Sequence, residues 1–85
     1  MDKLTIRNQG QEKNNQIFNL ATEKGFNISN PEQKKGHFID LIIRDKQKII
    51  GWDLFVLDSL RSVWDIKTKV NLEDVENWID EKINT

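Results

Sequence analysis

The chain is built from short blocks in which hydrophobic and polar positions recur with a definite period. Leu4 and Ile6 alternate with Lys3, Thr5 and Arg7, the pattern of an edge strand or an ordered arm. Asn8 to Asn15 is polar and contains Gly10, so a turn or frayed segment is expected there. Residues 12–24 predict a first helix, because Ile17, Leu20 and Ala21 recur at helical spacing with Phe18 beside them. Gly25 fits the position just past the helix end, where a left-handed residue carries no steric cost, and Phe26 would then pack back onto Leu20 or Ala21. Asn30-Pro31-Glu32-Gln33 suits a single helical turn, with Asn as cap and Pro at the first helical position.

Three strands are predicted next. His37 to Arg44 is rich in Phe and Ile, and Asp45-Lys46-Gln47-Lys48 is a polar connection. Ile49 to Leu57 is the most apolar stretch and is expected at the centre of the sheet. After a turn at Asp58-Ser59-Leu60-Arg61, residues 62–70 alternate, with Trp64, Ile66 and Val70 opposite Asp65, Lys67 and Lys69. Connections this short join antiparallel neighbours. A final helix begins at Asn71, with Asp74 placed for a capping box and Val70 and Val75 for a hydrophobic staple. Its apolar stripe is Leu72, Val75, Trp78, Ile79 and Ile83, opposite Glu73, Glu76, Asp80 and Glu81. The expected fold class is α+β: a three-stranded antiparallel β-meander, with a possible N-terminal edge strand, flanked by an N-terminal and a C-terminal helix in the order α-β-β-β-α. Residues 1–85 form one small domain, with 1–10 as a flexible arm or edge strand.

Composition narrows the function classes. Only 36% of the 85 residues are hydrophobic, but they include three Trp, four Phe and eleven Ile, enough bulk for a core and against global disorder. Thirteen basic and fourteen acidic residues give a net charge of −1. A protein that lives on phosphates carries a basic excess or stripe, so charge does not nominate nucleic acid. With no cysteine there is no disulfide and no thiolate zinc site. No stretch has the length of a membrane span, and the first residues lack a signal-peptide core, so a cytoplasmic protein without a membrane partner is expected. The excess of Lys over Arg, ten to three, with abundant Ile and Asn, suggests an AT-rich bacterial, phage or mobile-element genome.

One constellation could carry chemistry. Pairing Arg44 with Ile49 across the first turn sets Asp40 opposite Asp53, and pairing Leu57 with Arg61 sets Asp53 opposite Asp65. Like charges directly opposite on a sheet are destabilising, so a row of Asp40, Asp53 and Asp65 needs a reason. A hard cation such as Mg²⁺ or Mn²⁺ is one, with Lys67 nearby to orient water or phosphate. Helix, strand, strand with Asp53, strand with Asp65-Ile66-Lys67, helix resembles the core of the PD-(D/E)xK nucleases over residues 12–83. That resemblance implies a metal-dependent nuclease with Asp53 and Asp65 as ligands and Lys67 as the catalytic lysine. The alternative is a solvated face on which Arg44, Lys48 and Lys67 pair the carboxylates.

Other singled-out residues have plainer explanations. His37, the sole histidine, follows Gly36 with no nucleophile nearby and reads as a half-exposed strand start. Trp52, Trp64 and Trp78 fall where core packing accounts for them. The glycines form no phosphate loop, and Gly51 within a strand signals a bulge or a close approach of another group. The central strand is apolar on both faces, and Phe38, Ile42 and Val63 extend its second face. One helix cannot cover two faces, so either the first helix covers the second face or that face meets a partner or a second copy of the chain. The favoured reading is therefore a small non-enzymatic protein–protein interaction module, an adaptor, regulator or inhibitor. Its partner is another protein or a second copy of itself, its contacts are Phe38, Ile42 and Phe55, and it needs no cofactor. A nucleic-acid accessory role through Lys34, Lys35, Arg44, Lys46 and Lys48 is the remaining alternative.

Overall fold

A computed structural model of the chain describes residues 2–29, 36–53, 66–67 and 69–84. Its elements run β1 (Asp2–Arg7), α1 (Gln11–Glu23), β2 (Asn27–Ile28), β3 (Phe38–Arg44), β4 (Gln47–Asp53), β5 (Ile66–Lys67) and α2 (Leu72–Ile83). The class is α+β: among the described residues, a mixed sheet with two helices.

Both helices form where the local signals place them. α1 ends in a Schellman motif: the Gly25 N–H donates to the Thr22 carbonyl at 3.1 Å and the Phe26 N–H to the Ala21 carbonyl at 2.9 Å. Gly25 has φ 96°, a conformation a side chain would strain. Phe26 is buried in the same core cluster as Ala21. At the start of α2 the Asn71 N–H donates to Asp74 Oδ2 at 3.3 Å, and the staple residues Val70 and Val75 are both buried. The turn before α1 is held by side-chain amides. Asn14, only 2% exposed, accepts from the Gln9 N–H at 2.9 Å and donates to Asn8 Oδ1 at 2.8 Å. Asn8 in turn donates to the Gly36 carbonyl at 3.2 Å, tying this turn to the entry of β3.

The sheet departs from the expected meander. Its strand order is β2-β4-β3-β1-β5. β3 pairs antiparallel with both β4 and β1, so β3, not the 49–57 stretch, is central. β1 is an interior strand instead of an arm or edge, because Leu4 and Ile6 both enter the core. β5 pairs in parallel with β1, and not antiparallel with β4 as a second hairpin requires. β2 adds a parallel partner on the far side of β4. Among the described residues the order is thus β-α-β-β-β-β-α. The helical turn expected at 30–33 and the strand residues 54–65 lie outside the described residues.

The β3–β4 register also differs. Arg44 pairs with Gln47, leaving a two-residue turn in which Asp45 takes φ 56°. Asp tolerates this left-handed conformation better than most residues, and a tight two-residue turn matches the natural twist of a hairpin. The register moves by two positions, an even shift, so each side chain keeps its predicted face while its partner changes.

The core lies on one face of the sheet. Leu4, Ile6, Ile39, Leu41 and Ile50 form a single cluster with Ile17, Ala21, Val75 and Ile79 of the helices. Trp52 stacks on Phe18 of α1 with ring centroids 5.4 Å apart. Each fully buried aliphatic side chain in such a cluster contributes about 1.5–3 kcal/mol relative to exposure. Both helices therefore sit on the same side. Lys24 joins them, with Nζ 2.9 Å from Asp80 Oδ1 and 3.7 Å from Glu76 Oε2.

Candidate interaction surface

The opposite sheet face is fixed by the register. Lys3, Thr5 and Arg7 of β1 pair with Ile42, Asp40 and Phe38 of β3, and these with Ile49, Gly51 and Asp53 of β4. Among the described residues no helix packs against this face. Of the three expected contact residues, Phe38 and Ile42 share it, and Phe55 lies outside the described residues. Phe38 is 6% exposed, with the Arg7 guanidinium 5.6 Å from its ring centroid, a cation–π geometry. Ile42 and its cross-strand neighbour Ile49 are half-buried, and they are the described apolar side chains of this face that solvent reaches.

A polar cluster lies beside them. Asp40 is buried, and its carboxylate accepts a 2.8 Å hydrogen bond from the fully buried Thr5 hydroxyl. Lys3 Nζ stands 3.6 Å from the other carboxylate oxygen, with both side chains largely buried. A buried carboxylate is tolerated when it is hydrogen-bonded and charge-compensated, and here β1 supplies both functions. Gly51, opposite Asp40, has Ser29 over it: a Cβ there would stand 3.3 Å from the Ser29 Cβ. The close approach expected at this glycine is present.

The carboxylate row is not formed as registered from the sequence. Asp40 faces Gly51, and Asp53 faces Phe38. Asp65 lies outside the described residues. Lys67 is in register with Ile6 on β5, and β3 and β1 intervene between β5 and β4. Three strand spacings, about 14 Å, separate the Lys67 strand from the Asp53 strand. The adjacency that the nuclease resemblance implies for Asp53 and Lys67 is therefore not present. Among the described residues, no three His, Asp or Glu side chains are grouped to hold a metal ion. His37 is exposed at the entry to β3, and its carbonyl accepts from the Asn8 N–H at 2.9 Å. Of the basic cluster, Arg44 and Lys46 are exposed at the β3–β4 turn, Lys48 is half-buried, and Lys34 and Lys35 lie outside the described residues. No helix among the described residues is long and apolar enough to cross a membrane.

Sequence reasoning did not include Lys3, Thr5 and Arg7 in the site. Their alternation with Leu4 and Ile6 was visible, but alternation names neither the partner strand nor the face. Compared with family models, with curated proteins and with solved structures, the chain finds no match.

Proposed function

We propose that the chain is a small protein–protein interaction module that binds through the sheet face around Ile42 and Ile49, against which no described helix packs. The observation that carries this reading is the placement of both helices on one side of the sheet. It leaves a half-buried Ile–Ile pair on the other side, framed by Lys3 and Arg44. An apolar centre with a charged rim is the usual anatomy of a binding patch. Phe38 lies on the same face, four residues before Ile42 along β3. Self-association through this face is the simplest version. Light scattering over a concentration series, from about micromolar to millimolar in moderate salt, tests it. Dimers that persist in high salt and are lost in Ile42→Asp support the reading. Dimers that Ile42→Asp leaves intact, or a monomer throughout with no partner whose binding Ile42→Asp weakens, refute it.

A further inference from the structure

We propose that the groove between α1 and α2 receives the β3–β4 hairpin tip of a second copy of the chain, giving a head-to-tail association held by charge. The groove has a volume of about 480 Å³. Its floor is apolar, formed by the half-buried Leu20 and Leu72, and Glu23, Glu73 and Glu76 stand along it. Of the lining carboxylates, Glu76 is paired with Lys24, which also bonds Asp80. The described lining residues include no cation.

The hairpin tip has the opposite character. Arg44 and Lys46 are exposed on either side of Asp45, and the two-residue turn makes the tip narrow. It carries Arg and Lys heads on long apolar stems, which can lie along leucine side chains while the charges reach carboxylates. The strands leading to the tip are paired continuously up to Arg44 and Gln47, so the turn closes the ladder directly. The groove and the tip share no residue, so each copy offers both halves of the contact. A net charge of −1 for the whole chain means that copies do not repel strongly at distance, while the segregated charges select one orientation. A contact between two different surfaces is heterologous, so it propagates head to tail unless it closes into a ring. The apolar pair Ile42 and Ile49 is not part of it; Arg44 borders both surfaces.

Sedimentation velocity at about 0.01 M and about 0.5 M salt gives the first test, since the Debye length falls from about 30 Å to a few ångströms over that range. Association is expected at low salt and lost at high salt, the reverse of what an apolar sheet-face dimer shows. Lys46→Glu and Glu73→Lys, both at exposed positions, should each weaken self-association by about tenfold or more. Mixed in equal amounts, they should regain association. The first variant keeps a native groove and the second a native hairpin tip. Ile42→Asp should leave this association unchanged. A wild-type chain that stays monomeric at low salt and millimolar concentration overturns the proposal. So does an association that resists salt, or a mixture of the two variants that stays monomeric while each is folded by circular dichroism. If the wild type instead binds only another protein's basic segment in the groove, the second-copy assignment is also overturned.

Discussion

Replacing Thr5 by Val isolates the polar contact that joins β1 to β3. The two side chains have nearly the same shape, so packing is kept and only the hydroxyl is lost. Thr5 is fully buried, and its hydroxyl donates to Asp40 Oδ1 at 2.8 Å. Asp40 is itself 4% exposed, so water is poorly placed to replace the donor. Lys3 stays 3.6 Å away on the other oxygen and keeps the carboxylate charge-compensated, which limits the damage. A hydrogen bond to a charged group is worth about 1.5–3 kcal/mol, and that is the expected loss for Thr5→Val. For a domain of this size, it corresponds to a fall in Tm of roughly 6–24 °C, at about 4–8 °C per kcal/mol. Urea denaturation followed by tryptophan fluorescence gives the free energy, provided far-UV circular dichroism reports the same midpoint. The double variant Thr5→Val with Asp40→Asn completes a cycle, and a coupling of about 0.5–3 kcal/mol is expected for directly bonded partners. Stability within about 0.5 kcal/mol of wild type for Thr5→Val, the range of an ordinary surface substitution, would refute the buried pair.

Three further expectations follow from the same structure. Gly51→Val should cost about 1–3 kcal/mol by crowding, because its side chain starts 3.3 Å from the Ser29 Cβ; Gly51→Ala should cost less, and equal stability for all three would mean that Ser29 does not lie over this position. Asn14→Ala should cost about 1–3 kcal/mol and expose the Gln9 amide to faster hydrogen exchange, since that N–H loses its 2.9 Å acceptor; unchanged exchange at Gln9 argues against the network. The Lys24 ammonium is held above its ordinary value of 10.5, led by its hydrogen bond to Asp80, with the charges of Asp80 and Glu76 adding and burial opposing. A raised folded-state pKa means that this stabilisation is complete below pH 10.5 and fades as pH rises through and beyond that value. Lys24→Met should therefore differ from wild type at neutral pH and converge with it in strong alkali; a difference that stays constant to high pH excludes the ion pair as its source.

What the sequence determined by itself was local. The boundaries of α1 and α2, the Schellman end at Gly25 and Phe26, the Asn71–Asp74 cap and the Val70–Val75 staple are each contained within a few consecutive residues, where the governing hydrogen bonds also lie. The side-chain faces of β3 and β4 were legible too, because a period of two survives an even register shift. Tertiary structure alone decided what each strand pairs with. Leu4 and Ile6 announce a strand with one apolar side, but only the collapsed core shows that β1 sits between β3 and β5. The two-residue turn at Asp45 set Asp40 against Gly51 instead of Asp53, and the parallel pairing of β5 with β1 moved Lys67 away from both. Apart from that hairpin, the deciding contacts join segments 35 or more residues apart, such as Thr5 with Asp40 and Lys24 with Asp80. Local periodicity carries no record of such distances, because the energy of closing them comes from burying both partners at once.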